Sequence, residues 1–339
     1  MNIETFKAMV VRETDDGSFI REITQKNLSD LPPGDLLVKV DYSSLNYKDA
    51  LSASGNKGVT KNYPHTPGID AAGVVVQSVG GEFTPGDRVL VTGFDLGANL
   101  SGGYGKYIRV PTSWALRLPD NITLKESMIY GTAGFTAAYS LLKMEQHGLK
   151  PEGGEILVTG ATGGVGSIAV GILAKLGYQV VAATGKPSQR EFLTRLGAGD
   201  VIPREDINDD SGSPLLKGRW AGVVDTLGGN ILATAIKSTK PRGVVTCCGL
   251  VVSADLPTTM FPFILRGVSL LGIDSAQCPL DIRKKIWQGI SQQWKLDELD
   301  YLASECSLEE LENKIDLMLR GELKGRVVVN HNDLEGEID

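Results

Sequence analysis

The run Val158-Thr159-Gly160-Ala161-Thr162-Gly163-Gly164-Val165-Gly166 has the residue types and spacing to hold an anion. Apolar Ile156-Leu157-Val158 reads as a strand entering the turn, and an apolar helix leaves it at Gly166. A glycine-rich strand-to-helix turn presents backbone N–H groups at the positive end of a helix, where phosphate binds. Aligned on its last two glycines, the fingerprint reads Ala161-x-Gly163-x-x-Gly166, with alanine in place of the first glycine. Gly163 would admit a pyrophosphate to the backbone, and Gly166 would let the helix pack close to the strand. Thr162, Gly163, Gly164 and Val165 are therefore candidate pyrophosphate contacts. The same turn without a ligand occurs in other doubly wound proteins, so the next strand matters.

In NAD sites an acidic residue lies about 20 positions on and accepts the ribose hydroxyls. Here strand Gln179 to Ala183 runs into Thr184-Gly185-Lys186 with no Asp or Glu. The Thr184 hydroxyl, the Gly185 N–H and the Lys186 ammonium would suit a 2′-phosphate, with Arg190 and Arg204 as further cations nearby. A carboxylate there would repel the phosphate, so its absence favours NADPH.

The elements that must position this turn follow from periodicity. Lys7 to Val11, Asp35 to Tyr42, Ala72 to Val79, Arg88 to Thr92 and Tyr104 to Val110 read as strands. They are broken by Pro32-Pro33-Gly34, Gly80-Gly81, Pro85-Gly86-Asp87 and Gly102-Gly103, which indicates a mostly antiparallel β domain. From Leu124 the pattern changes to helical spacing over Lys125 to Tyr130 and Gly134 to Leu142. Strands at Ile156 to Thr159, Gln179 to Ala183, Ala221 to Thr226, Arg242 to Cys248 and Val268 to Ile273 then alternate with helices. Among these are Gly166 to Leu176 and Ser188 to Leu196, the latter capped by Ser188 and stopped by Gly197. Such βα units imply an α/β doubly wound parallel sheet of Rossmann type. Helices at Asp281 to Trp294 and Leu308 to Leu319 follow, and strand Arg326 to Asn330 returns to the first domain. The expected organisation is 1–126, 127–274 and 275–339, the last piece rejoining the first.

Composition narrows the class of partner. The net charge of −7 argues against a nucleic-acid or anionic-membrane surface, since either would need a basic stripe. The longest apolar stretch, Ile168 to Leu176, is interrupted by Lys175 and is far short of the ~20 residues of a bilayer span. The N-terminus shows no apolar signal region. Cys247, Cys248, Cys278 and Cys306 have no Cys-x-x-Cys spacing, and the first two read as small hydrophobes in a reducing compartment. A cytoplasmic protein is expected, with an acidic tail from Asn332.

Several further blocks carry a family resemblance. They are Ser43-Ser44-Leu45-Asn46-Tyr47-Lys48-Asp49, Pro67-Gly68-Ile69-Asp70, Gly131-Thr132-Ala133-Gly134-Phe135-Thr136-Ala137, Gly160 to Ser167, and Leu256 to Arg266. With them the chain resembles, over essentially its whole length, the medium-chain dehydrogenase/reductase superfamily. More closely it is similar to the zinc-free quinone oxidoreductase branch and the acrylyl-CoA reductase (YhdH/YhfP-type) group. The resemblance implies a GroES-like catalytic domain for the antiparallel part. It places Asn46 where zinc-dependent relatives carry a metal-binding Cys and Ile69 where they carry a His, so no metal is expected. Without a Lewis acid, hydride delivery to an activated C=C or a quinone is favoured over alcohol oxidation.

By the same resemblance Asn46, Tyr47 and Asp70 are the candidate catalytic residues. Tyr47 would donate a hydrogen bond or proton, or stack near the cofactor. Asn46 would orient the substrate or nicotinamide amide, and Asp70 would hold these side chains. Tyrosine is a weak acid at neutral pH, which leaves water as the alternative proton source; equally, Tyr47 could pack a domain interface and Asp70 cap a turn. Thr136 is expected near the cofactor, and Leu250, Ile264 and Ser275 are expected to line the nicotinamide pocket. The small-molecule substrate is an enoyl-CoA or a quinone, and a non-catalytic NADPH-binding role is the third reading. Strand Val268 to Ile273 is an edge that family members pair across a two-fold axis, so a homodimer is expected.

Overall fold

The computed structural model describes residues 4–332. The acidic tail beyond Asn332 therefore lies outside the described residues. Within them the chain forms two compact units. One comprises the residues up to Thr132, Ala276–Ser291 and those from Glu298 onward; the other comprises Ala133–Ser275 and Gln292–Asp297. The first boundary thus falls inside helix Leu124–Gln146, and a short segment after residue 291 belongs to the second unit.

The first unit holds a seven-stranded sheet. In spatial order its strands are Ala303–Cys306, Arg326–Asn330, Leu36–Leu45, Asp70–Ser78, Arg88–Thr92 and Ala115–Arg117, with Tyr107–Val110 also pairing Leu36–Leu45. Every pairing is antiparallel except that of Ala303–Cys306 with Arg326–Asn330. Alternating apolar residues (Leu36, Val38, Val40, Val75, Val89, Val91, Ile108) fill one core, and Met9, Leu45, Leu308, Ile315 and Val327 fill a second. Strand Phe19–Asn27 pairs with Thr5–Glu13 in a separate hairpin. It escaped the sequence reading because its exposed and half-buried residues mix charge with isoleucine.

Register is what places the chemistry here. Val327 lies opposite Leu45 and Val328 opposite Ser44, while Ser43 lies opposite Ala71. One step on, Arg326 comes beside Asn46 and Ser44 beside Asp70, at neighbouring strand ends.

The second unit is a six-stranded sheet in which every adjacent pair is parallel. The strand order is Asp200–Pro203, Gln179–Thr184, Glu155–Val158, Trp220–Asp225, Thr239–Cys247 and Ser269–Gly272. Numbered within the unit this is 3-2-1-4-5-6, the Rossmann order, whose ligand crevice opens where strands 1 and 4 diverge. The central strands are apolar on both faces, as Trp220–Asp225, buried throughout, shows. The helix expected from Ser188 begins instead as a 3-10 turn, Pro187–Gln189, and becomes α-helical at Arg190. Ser188 lies inside that turn and does not cap it, because Pro187 already occupies the first helical position.

Candidate functional site

Within the second unit, strand Glu155–Val158 leads through the glycine-rich turn into helix Gly164–Lys175. Gly163 is the N-cap, at φ −77°, and no side chain caps the helix. Gly164 and Val165 are its first two residues, so their N–H groups have no acceptor within the helix. A side chain on Gly166 would put its Cβ 2.4 Å from the Gly160 carbonyl oxygen and 2.8 Å from the Ala161 Cα. Only glycine fits there. At Gly163 the nearest atom, the Gly160 carbonyl oxygen, would be 3.3 Å away, a tight contact but far less severe than at Gly166. A glycine there leaves the backbone open to close approach by a ligand. The cradle therefore fits a dinucleotide pyrophosphate.

The floor of this crevice is tied together by a buried carboxylate. Asp225, ending strand Trp220–Asp225, accepts the Thr159 hydroxyl at 2.7 Å and the Gly228 N–H at 2.8 Å. Thr159 Oγ1 in turn accepts the Thr226 N–H at 3.0 Å. A Cβ on Gly249 would lie 1.9 Å from the Thr226 carbonyl oxygen, so the next strand end must close over Thr226 with a glycine. The sequence reading missed Asp225, Thr159 and Thr226.

At the neighbouring strand end Thr184 is buried, 3.4 Å from the Thr162 hydroxyl, and accepts the Lys186 N–H at 3.0 Å. Pro203 is in register with Thr184, which brings Arg204 over Gly185. Arg190 goes elsewhere, to the Val201 carbonyl. Leu250 follows Gly249 and is exposed, and Ser275 follows strand Ser269–Gly272. Ile264 stands on helix Phe261–Arg266, which Arg266 ties to the Lys237 and Thr239 carbonyls at the opposite end of strand Thr239–Cys247. Thr136 is buried, and its carbonyl accepts the Ser140 hydroxyl at 2.9 Å. Burial pushes the Cys248 thiol up to about 12 and raises Cys247, which suits small hydrophobes rather than nucleophiles.

In the first unit the strand ends bring together a buried polar cluster. Asp70, fully buried, accepts Ser44 Oγ at 2.6 Å, Asn46 Nδ2 at 2.8 Å and the Thr132 N–H at 2.9 Å on one carboxylate oxygen. The Thr132 hydroxyl reaches the other oxygen at 2.6 Å. The Thr132 N–H is available because helix Leu124–Gln146 breaks at Gly131, whose φ of 49° is left-handed. A Cβ on Gly131 would sit 2.5 Å from Asp70 Oδ2. Asn46 precedes helix Tyr47–Ala53, and its second acceptor is Asp49 Oδ2 at 3.2 Å. Asp49, three residues into that helix, reaches back to the Asn46 N–H at 2.9 Å as the return arm of a capping box. Its other oxygen takes the Ile69 N–H at 2.8 Å.

The Arg326 guanidinium is 2% exposed and closes the cluster. It donates to Asn46 Oδ1 and the Leu45 carbonyl at 3.2 Å, to Ser44 Oγ at 2.9 Å, and to the Ile129 carbonyl at 2.9 Å. It meets Asp70 at 4.0 Å, beyond direct hydrogen bonding.

An amide has two hydrogens, and those of Asn46 point to two carboxylates while its oxygen faces Arg326. These bonds hold Asn46 at the start of the helix carrying Tyr47. Tyr47, the first residue of that helix, is 39% exposed. Ser44, Asp49, Thr132 and Arg326 are cluster members that sequence reasoning gave no role.

Burial, then the like charge of Asp70, pushes the Asp49 carboxyl up to about 7 against the N–H groups of Ile69 and Asn46. A carboxyl raised on folding keeps a proton that the unfolded chain releases above about 4. Its contribution to stability is therefore present at low pH and lost as pH rises from about 4 to about 7. Buried His331, lowered to about 4, and His65 act in the opposite sense. Urea denaturation from pH 5 to 8 should thus show Asp49→Asn gaining on the wild type as pH rises and levelling off above 7. A difference that does not vary with pH would contradict this.

Two family models match the chain: the alcohol dehydrogenase GroES-like domain over residues 32–120 and the zinc-binding dehydrogenase over residues 164–291. Acrylyl-CoA reductase AcuI of Ruegeria pomeroyi is 42% identical over 328 residues, covering 96% of this chain and 99% of the relative. YhfP of Bacillus subtilis, which carries a provisional quinone oxidoreductase name, is 47% identical over 88% of this chain and 91% of its own. The chain belongs to the acrylyl-CoA reductase and YhfP group of the medium-chain dehydrogenases/reductases. Its fold agrees: the yhdH oxidoreductase of Salmonella enterica, solved in complex with NADP, superposes with a TM-score of 0.93 at 38% identity, covering 96% of this chain and 99% of that one. YhfP, solved with NAD bound, also gives 0.93, at 44% identity over 96% and 99%.

The zinc of the second family description does not fit this member of the group. An amide and an alkyl side chain, Asn46 and Ile69, cannot serve as thiolate and imidazole. The Asp49 and Asp70 oxygens already accept N–H and O–H donors. Among the described residues no group of three or more His, Cys, Asp or Glu comes together to hold a metal.

Proposed function

We propose that this protein is an NADPH-dependent reductase of a short 2-enoyl thioester, converting acrylyl-CoA to propionyl-CoA. The observation that carries the reading is the full-length likeness to acrylyl-CoA reductase AcuI, at 42% identity. NADPH, when bound, supplies the hydride. The backbone of Thr162, Gly163, Gly164 and Val165 receives its pyrophosphate, and Thr184, Lys186 and Arg204 receive its 2′-phosphate. Thr136, Leu250, Ile264 and Ser275 remain proposed cofactor contacts.

Reduction adds hydride to the β-carbon and a proton to the α-carbon. The exposed Tyr47 hydroxyl is the proposed donor to the substrate, with Asn46, Asp49, Asp70 and Arg326 fixing the helix start beneath it. Tyr47→Phe should lower kcat roughly 10- to 100-fold with NADPH affinity retained. An unchanged kcat in steady-state assays would leave Tyr47 as packing.

Quinone reduction is the second reading, favoured by the name carried by YhfP. The test is kcat/KM with NADPH for acrylyl-CoA against 1,4-benzoquinone. A far larger value for acrylyl-CoA is expected, and a tenfold preference for the quinone would overturn the thioester assignment. Tight NADPH binding without turnover of either would point to a non-catalytic role.

Two further features concern setting and assembly. The four cysteines are free thiols, which supports a cytoplasmic location, to be checked by fractionation. Among the described residues no helix is long and apolar enough to cross a membrane. The edge strand Ser269–Gly272, near the exposed Met260, Phe261, Ile264 and Leu265, supports a homodimer. Light scattering at the mass of one chain would contradict it.

A further inference from the structure

Three side chains of the first unit meet with hydrogen-bonding capacity that the protein does not use. Lys26 stands in strand Phe19–Asn27 between exposed Gln25 and Asn27 and is itself half-buried. Its ammonium donates to Ser101 Oγ at 3.0 Å and to Thr66 Oγ1 at 3.3 Å. Thr66 is 1% exposed, and Ser101 is half-buried. Among the described residues Lys26 makes no ion pair. Asp30 is the nearby carboxylate, and it accepts the Asn27 N–H at 3.0 Å and Asn27 Nδ2 at 3.1 Å. Burial holds the Lys26 ammonium below its ordinary range, against the charge of Asp30.

An ammonium carries three hydrogens and a hydroxyl carries one. Two of the lysine hydrogens go to the hydroxyl oxygens, which accept them and keep their own hydrogens. Neither hydroxyl donates to an acceptor among the described residues. Three unspent donors and a positive charge therefore converge. A phosphate group, with a negative charge and three strong acceptor oxygens, matches that set.

The frame beneath the hydroxyls is rigid. The Gly102 N–H donates to the Thr66 carbonyl at 2.8 Å, and the Tyr104 N–H donates to the Pro67 carbonyl at 3.0 Å. A Cβ on Gly102 would lie 2.4 Å from the Gly68 carbonyl oxygen, so the two segments pack backbone to backbone. Little is lost in ordering them around a ligand. Two residues on from Thr66, the Gly68 N–H donates to Asp49 Oδ1 at 3.2 Å, which ties this frame to the helix carrying Tyr47.

The geometry points to a phosphate-binding site formed by Lys26, Thr66 and Ser101. Its ligand is the free ion or the 3′-phosphate of a coenzyme A thioester. The second source rests on the enoyl-thioester reading above; the site itself does not.

Both sources are tested on the wild type, Lys26→Met and Ser101→Ala, with NADPH at saturation so that the glycine-rich turn is filled. In the first arm thermal midpoints are read in sodium phosphate against sodium chloride of equal ionic strength. Phosphate should raise the wild-type midpoint with an apparent Kd of about 1–10 mM. It should bind each variant roughly tenfold more weakly, the scale of one lost charge-assisted hydrogen bond. In the second arm kcat/KM is compared for acrylyl-CoA and for acrylyl-pantetheine, which lacks the phosphates. Where the site takes the coenzyme A tail, the advantage of acrylyl-CoA shrinks about tenfold in both variants; where it takes the free ion, only the first arm responds. Phosphate protection that is absent or identical in all three proteins, together with an unmoved ratio, would overturn the site. Turnover of neither thioester would overturn the enoyl-thioester reading and leave the phosphate arm to decide the site.

Discussion

Replacing Arg326 with methionine should destabilise the protein by about 3–5 kcal/mol, the cost of leaving buried charge without its partner. Arg326 is the cation of a cluster that buries both Asp70 and Asp49 completely. Removing it also strips donors from Asn46 Oδ1, Ser44 Oγ and the Leu45 and Ile129 carbonyls. Methionine fills much of the volume but returns none of these hydrogen bonds. Lysine would restore a charge but not a fork that reaches all these acceptors, so Arg326→Lys should recover only part of the loss. Urea denaturation at pH 8 is the measurement. A loss below about 1 kcal/mol, the scale of an exposed ion pair, would contradict the account of this cluster.

Gly166→Ala should weaken NADPH and NADH alike, by about 10- to 100-fold. Its Cβ would lie 2.4 Å from the Gly160 carbonyl oxygen, and that neighbour is backbone rather than the end of a flexible side chain. The turn must therefore move as a whole, at the ~1–3 kcal/mol typical of overpacking, which corresponds to one or two decades in affinity. Gly163→Ala makes the informative contrast. With its nearest protein atom, the Gly160 carbonyl oxygen, 3.3 Å away it should disturb the fold far less than Gly166→Ala and still bind coenzyme poorly. Fluorescence titration of both variants, alongside their thermal midpoints, separates the two causes. Unaltered coenzyme binding by Gly166→Ala would remove the turn from the site.

What could be read from the sequence follows from how each constraint is written into it. The dinucleotide turn declares itself because close packing at Gly166 admits one residue type and its neighbours are contiguous. The helix break at Gly131 showed in the gap between two helical runs, although its purpose, freeing the Thr132 N–H for Asp70, did not. The buried cluster was only half visible. Asn46 and Asp70 stood out by resemblance, but Ser44, Asp49, Thr132 and Arg326 are brought together by strand register across most of the chain. The one local signal was an arginine opening the otherwise apolar, buried strand Arg326–Asn330, a charge where a buried strand does not ordinarily carry one. Strand Asp200–Pro203 was missed because four residues ending in proline show no periodicity. That strand is what carries Arg204 to Gly185, so sequence could name Arg204 as a nearby cation but not separate it from Arg190. The partners of the Asn46 amide within the protein were illegible for a related reason. Its residue type suggested a substrate contact, and only the geometry shows both hydrogens committed to carboxylates.

On the proposed function, hydride passes from NADPH to the activated C=C of a short enoyl thioester. The most direct measurement follows the label itself: NADPH carrying deuterium at both C4 positions is incubated with the protein and acrylyl-CoA, and the propionyl-CoA formed is analysed by NMR. One deuterium per molecule is expected, at the β-carbon, with the α-carbon proton drawn from the hydroxylic pool. Oxidation of NADPH only when a quinone is supplied, with acrylyl-CoA recovered unlabelled and unreduced, would contradict it.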